Sequence, residues 1–516
     1  MRIRPFVPLM STAGLVVVGI VVAWLTPREA GSAQAPPSNT VLPTLPPEAG
    51  LSFEVRDADS GQAIPCKLTL LGVDGTPNPQ FTRNDIARQE VGAVAAHDRI
   101  MSDSGIGVAR VPHGTYDVYV SRGPEWDLYV ARRVTVGAKG ARLSARLRHV
   151  VNSDGWISAD FHVHASSSSD SRVPMHDRIY EFLSDGVEII TSTDHNVISD
   201  YAPLIQELGV GKHIASLVGD EMTTGSWGHF GAFPLPRVLE RAGEGAVLVH
   251  GRTPTQYFAD VRAEAPFAII DVHHPRIDSE IGYFNLGQLD TARDRAGRPG
   301  FSFDFDAVEV LNGYQDPERR SVDRVIAEWF ELLQHGHFVT ATGNSDTHHL
   351  DHNIGGYPRN YVRVLDDRPS AVVPETIAKA VKKHRTFFTT APFVKLRANG
   401  VELGEVADAR GGKVRVEIEV QAAPWVSVST ATLYHSGREV KKWTVPPSTD
   451  VVRLRDAIDL PVTADSWIVA RVDGDKPLAP VVGDRKRFDV RPLALTNPIF
   501  LDHDGNGQFD APLKGK

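Results

Sequence analysis

Between Trp156 and about Pro392 of this 516-residue chain, short apolar runs alternate with helical periods. The strand-type runs include "VEIIT", "IASLVG", "FAIIDV", "AVEVL" and "FVTAT". In "SVDRVIAEWFELLQHG", Val322, Val325, Ile326, Trp329, Phe330 and Leu333 fall on one helical stripe with charges opposite. Repeated β-then-α order argues for parallel strands, closed into a barrel or laid out as an open sheet. That constraint matters because α/β barrels build their sites at the C-terminal ends of the strands.

Nearly every one of those strand ends carries a metal-type ligand. After "WISADF" come His162 and His164, whose period of two lets both rings face one point. After "VEIITST" come Asp194, His195 and Asn196; after "IASLVG" come Asp220 and Glu221, and then His229 in "GHF". "FAIIDV" leads to His273, His274, Pro275 and Arg276, and "FVTATGNS" to Asp346, His348 and His349. A lone histidine at a strand end is more often a structural, hydrogen-bonded residue. Six such ends in one segment are hard to reach by chance, and 14 of the 20 histidines lie between Asn152 and His352. With a single cysteine, Cys66, thiolate zinc sites of the paired CxxC type and internal disulfides are both excluded. Imidazole and carboxylate donors suit zinc, manganese or iron.

In order along the chain, "DFHVHA", "TDHN", "GDE…GHF", "HHPR" and "GNSDTHH" resemble the motifs of the PHP (polymerase and histidinol phosphatase) superfamily of metal-dependent hydrolases. "HHPR", "VEVLNGY" and "GGYPRNYV" make the segment similar in particular to the CehA/McbA branch. The resemblance implies a distorted (β/α)7 barrel with two or three divalent metals. Carried onto this sequence, it implies that His162, His164, Glu221 and Asp346 hold a first metal. Glu221 bridges to a second, shared with His229 and His274, and His195, His348 and Asp170 hold a third. Asp170 matches the family pattern only loosely, because the loop "ASSSSDS" has an unusual run of four serines. His273 is the wrong neighbour for a ligand and is expected to orient others. The chemistry implied is hydrolysis of an ester-type bond by a metal-activated water. Glu221 and Asp346 would hold the catalytic metals. Arg276 and Arg359, just past strand ends, would either clamp an anionic substrate or form structural ion pairs at the barrel mouth.

The flanks read differently. Residues 1–35 combine Arg2 and Arg4, an apolar run from Ala13 to Leu25 and a small-x-small pattern at Ala33 and Ala35. That is a secretory signal or an uncleaved N-terminal anchor, and either one exports the rest to the periplasm or the cell exterior. Residues 36–50 form a Pro-rich linker. Residues 51–150 alternate with period two (Tyr116, Val118, Val120; Leu143, Ala145, Leu147), which predicts a β-sandwich, and the segment also resembles, more weakly, a carboxypeptidase-regulatory-like domain. The expected barrel spans 151–392. From 393 to 516 strands return, with "KVRVEIEVQ" and an Asn399-Gly400 hairpin turn, giving a second all-β domain. "DHDGNGQFD" offers Asp502, Asp504 and Asn506 as the opening of a calcium loop, but Leu513 stands where a bidentate Glu is expected. A tight Asp/Gly/Asn turn is the plainer account. A net charge of -9 disfavours nucleic acid as a partner. A small-molecule substrate, anionic or neutral, is expected, and the membrane would be met only through the N-terminal segment. A second reading, a non-catalytic cell-surface binding protein that keeps the barrel as scaffold, is motivated by the flanking β-domains.

Overall fold

Every side chain of the strand Trp156–Val163 (β1) is buried, and this strand organises the middle of the molecule. In the computed structural model the described residues are 50–277, 281–313, 320–350, 354–483 and 489–514. The expected signal or anchor, and all of the linker except residue 50, lie outside them. Among the described residues no helix is long and apolar enough to cross a membrane.

Parallel to β1 runs Ile189–Ser192 (β2), and parallel to β2 runs Ala215–Val218 (β3). After the single residue Gly219 the chain continues as Asp220–Thr224 (β4), which belongs to a second sheet. There β4 pairs antiparallel with Gly228–Phe233 (β5), and β5 pairs antiparallel with Ile269–Val272 (β6). Ala307–Asn312 (β7) and Thr340–Asn344 (β8) follow in parallel. The open edge of β8 returns to β1, because Asp346 N donates to His162 O at 2.9 Å and His164 N to Thr347 O at 3.2 Å. The strands therefore run round a closed ring. Its interior is apolar: Ile157, Ala159, Phe161, Ile189, Leu217, Phe233, Ile269 and Ala307 form one cluster, with the Phe161 and Phe233 rings stacked at 4.9 Å.

The helices are Met175–Ser184 (α1), Ala202–Leu208 (α2), Pro254–Glu264 (α3), the single turn Tyr283–Leu286 (α4), Arg320–Gln334 (α5) and Pro374–Lys382 (α6). The stripe read from the sequence is the buried face of α5, from Val322 to Leu333. Ile377, Ala378 and Val381 of α6 join the ring's interior cluster. Strict β/α alternation breaks at β4 and β5, which form a hairpin with no helix between them. The short turn Gly225-Ser226-Trp227 allows only an antiparallel return. Arg359–Arg363 (β9) then pairs antiparallel with β1, and Thr386–Thr389 (β10) with β9.

Beyond β10 the same sheet continues through Leu493–Thr496, Ser466–Asp473, Thr430–His435 and Arg438–Thr444. A separate three-stranded sheet, Phe393–Ala398, Lys413–Gln421 and Val452–Pro461, packs its buried face on the same C-terminal core. At the other end, residues 50–147 make a three-stranded and a six-stranded sheet around a shared core that includes Phe53, Leu68, Val118 and Leu143. This β-layered segment is joined to α1 by a buried ion pair. Lys67 Nζ lies 2.7 and 2.6 Å from the two Asp185 oxygens.

Candidate metal centre

At the C-terminal end of the ring, His162, His164, Asp170, His195, Glu221, His229, His274, Asp346 and His348 converge. Four groups of their donor atoms each fall within 4.8 Å: His162 with His164 and Asp346; His162 with Glu221 and His274; His195 with Glu221 and His229; and His164 with Asp170, His195 and His348. All nine expected ligand positions are thus brought together. Backbone geometry helps to aim them. Asp346 has φ 52° and His274 φ 29°, a left-handed conformation that is rare outside glycine and is kept where the surrounding structure enforces it.

The proton positions say what the cluster is built to hold. His162 Nδ1 is 3.0 Å from Glu309 Oε1, so it carries the proton and donates it. In the neutral ring its Nε2 is then a bare lone pair, 3.1 Å from Glu221 Oε1 and 3.2 Å from Asp346 Oδ1, and it makes no hydrogen bond. Ser168 Oγ donates to Asp170 Oδ1 at 3.0 Å, so His164 Nδ1 must donate to Ser168 Oγ at 3.1 Å. The buried Nε2 of His164 then also faces Asp346 Oδ1, at 3.2 Å, and makes no hydrogen bond. His348 Nδ1 donates to the Asp346 carbonyl at 2.9 Å and turns Nε2 to Asp170, 3.2 Å away. Lone pairs facing carboxylate oxygens in a buried site leave a place that only a cation satisfies. Electrostatics agree. Burial alone would lower His162, yet Asp346, Glu221 and Glu309 raise it well above the usual imidazole range, so that without a metal a proton on Nε2 takes the cation's place. His195 is likewise raised to about 10, with Glu221 and Asp170 overcoming burial. Burial and the neighbouring His348 push His164 down to about 3, which keeps it a neutral, ligand-type imidazole. The donor set fits divalent metal binding.

Several supporting residues were not anticipated from the sequence. Glu309 accepts from His162 and from Asn344 Nδ2 at 3.0 Å, and from His274 N and Asn312 Nδ2 at 2.8 Å. Asn312 Nδ2 also reaches Asp346 Oδ2 at 3.0 Å. The only signal for them was the inward period of β7 in "VEVLN". Within the four-serine run, Ser168 is the member that orients both His164 and Asp170. His273 does orient a ligand: its Nδ1 lies 2.9 Å from Glu221 Oε1 and its ring stacks on His162 at 3.5 Å. Gly231 makes room for it, since a Cβ there would lie 2.4 Å from His273 Nε2.

The two arginines are not in this cluster. Arg276 donates to Glu328 Oε2 at 2.8 Å, to Asn285 Oδ1 and to the Leu289 carbonyl. Arg359 is fully buried and donates to the carbonyls of Gly356, Asp185 and Gly186. Position near a strand end did not fix side-chain direction, and both guanidinium groups are committed to structural partners, so neither is placed to clamp a substrate. In the C-terminal loop, Asp502 accepts from Gly505 N and Gly507 N, as a tight turn does. Asp504 instead gathers with Asp465 and Asp510, while Asn506 Nδ2 donates to Asp504 and Asp510.

The cluster opens into a cavity of about 320 Å³, walled by Asp170, His195, Glu221, His229, His274 and Asp346 among others. His349 also lines it, and its Nδ1 is held 3.0 Å from Asp85 of the N-terminal β-layers.

No family model matches the chain, and no curated protein matches it. Among solved structures it is similar to the lesion-specific endonuclease PfuEndoQ from Pyrococcus furiosus, at 14% identity and a TM-score of 0.29, over 44% of this chain and 56% of that one. The chain therefore spans little more than half of that protein's length. A β-glucuronidase of Parabacteroides merdae matches at 9% identity and a TM-score of 0.17, over 86% of this chain and 60% of that one. At such TM-scores neither likeness bears on function, and the mixed α/β fold with its His/Asp/Glu cluster stands on its own geometry.

Proposed function

We propose that the chain is an exported metal-dependent hydrolase of the PHP type, similar to the CehA/McbA branch, acting on an ester-type bond of a small molecule. In this reading residues 151–392 are the distorted (β/α)7 metallohydrolase barrel, between a β-sandwich at 51–150 and a C-terminal β-domain at 393–516. The observation that carries it is the set of bare Nε2 lone pairs of His162 and His164 turned toward Glu221 and Asp346 beside an open cavity. His162, His164, Glu221 and Asp346 would hold one divalent metal, Glu221, His229 and His274 a second, and Asp170, His195 and His348 a third. Bound there, zinc, manganese or iron would lower the pKa of a water and polarise the substrate's scissile group.

The chain's own residues supply the rest. Glu309 keeps the proton on His162 Nδ1, so Nε2 stays available. Asn312 and His273 fix the rotation of Asp346 and Glu221. Ser168 fixes His164 and Asp170 together. Protein purified without chelator and supplied with zinc, manganese and iron is expected to hold at least two equivalents. Chelation should abolish hydrolysis across a panel of aryl phosphates, esters and carbamates, and returned metal should restore it. Less than one equivalent of bound transition metal would overturn the proposal.

A further inference from the structure

Beside the metal cavity lies a larger groove of about 690 Å³, which the reading above leaves unused. One wall is the tip of the β4–β5 hairpin and the other is residues 242–252. Asn196 and Thr223 line the groove, while their neighbours His195 and Glu221 line the cavity. The two hollows share one ridge. Thr223 N and O are both engaged by the Asn196 side chain, at 3.1 Å each, and Thr223 Oγ1 lies against His195 Nδ1 and the Glu221 carbonyl. A molecule with its scissile group in the cavity has the groove as the continuation of its seat.

The chemistry of the walls selects the occupant. Ala246, Val247, Leu248 and Val249 make the 242–252 side apolar, and Leu248 is 70% exposed, an aliphatic side chain presented to a concave surface rather than to a core. Arg252, which lines the groove beside His250, is taken up by Asp260 Oδ2 at 2.6 Å and the Leu248 carbonyl at 2.8 Å. Among the described residues no lysine or arginine lines the metal cavity. A hollow of this size with apolar walls and a few polar edges is of the kind that binds the body of a small organic ligand. We propose that this groove is the subsite for an uncharged, predominantly apolar substituent of the substrate, with Leu248 as its specificity-determining contact.

The proposal rests on the hydrolase reading for its kinetic test but not for its binding test. Each methylene buried in an apolar site is worth about fourfold in affinity. In the fully metallated protein, kcat/KM for 4-phenylbutyl acetate is expected to exceed that for methyl acetate by at least about tenfold. Leu248→Asp, at a position 70% exposed, should reduce that ratio at least about fivefold. An unchanged ratio overturns the proposal. If no ester is turned over, the hydrolase reading fails, and calorimetric titration decides the groove alone. 4-Phenylbutan-1-ol should bind the wild-type protein, and about tenfold more weakly after Leu248→Asp. No binding of the alcohol, or equal binding by the variant, overturns the groove.

Discussion

Glu309 does not line the metal cavity and yet governs the cluster. Its two oxygens take hydrogen bonds from His162, His274 N, Asn312 and Asn344, so one carboxylate sets the angle of elements on both sheets. Glu309→Gln keeps the shape but leaves an amide NH2 facing donors, most directly at His162 Nδ1 or Asn344 Nδ2. The His162 tautomer that bares Nε2 is then no longer enforced. Loss of such an orienting partner typically costs 10–100-fold in metal affinity. Competition with a coloured chelator should show a loss of that order for the tightest site, and an unchanged affinity would remove Glu309 from this role. The clustering of the candidate ligands was legible in the sequence, because H-x-H spacing and repeated strand ends constrain where they point. Glu309 and Ser168 were not, since one inward carboxylate or one serine in four looks like its neighbours until the partners are placed. For Arg276 and Arg359 the sequence left a substrate clamp and a structural role both open: long side chains reach several ångströms, and nothing in the spacing says which way.

At the scale of elements, parallel strand runs and the α5 stripe were readable because burial imposes a period on them. The β4–β5 hairpin was not, because "GSWGHF" carries a turn and a ligand at once and its strands are short. Nor was the continuation of β9 and β10 into the C-terminal strands, since pairing partners more than a hundred residues away leave no local trace. The loop from α6 to β10 gives a test of how tightly such joints are held. His384, at φ 57°, is buried there with Nδ1 2.9 Å from Thr340 Oγ1, which itself donates to the Val381 carbonyl at 2.7 Å. Burial pushes His384 down to about 4. The unfolded chain, with an ordinary pKa near 6.5, therefore takes up a proton between about pH 6.5 and 4 that the fold refuses. Stability contributed here is full above about pH 6.5 and is lost as pH falls toward 4, by roughly 3 kcal/mol at most. His384→Asn removes the titration and tolerates the positive φ. Urea unfolding from pH 7 to pH 4 should show a shallower loss in the variant, and parallel curves would count against a neutral buried His384.

At the scale of the molecule, the question is whether the N-terminal β-layers are an appendage or part of the body that carries the candidate metal centre. The contacts favour the second. Lys67 and Asp185 pair at 1% and 0% side-chain exposure, Tyr357 OH adds 3.2 Å to the same carboxylate, and Arg122 Nη1 reaches the Leu183 carbonyl at the end of α1. Asp85 holds His349 in the cavity wall, and Arg99 Nη1 donates to the Leu350 carbonyl just beyond it. A buried pair adds little over an apolar substitute, but removing one partner leaves the other charge stranded, at about 3–5 kcal/mol. Lys67→Met strands Asp185 in this way and should lower the unfolding free energy by about that amount. Lys67→Met with Asp185→Leu removes both charges and should recover most of it. Two probes then separate the alternatives: far-UV circular dichroism for the whole chain, and capture of released metal by a dye for the centre. If the β-layers and the ring unfold as one body, both probes move together in Lys67→Met, to the same lower denaturant midpoint. Two separated transitions, with metal retained after the first, would show that the layers melt alone and that the buried pair does not couple them to the metal centre.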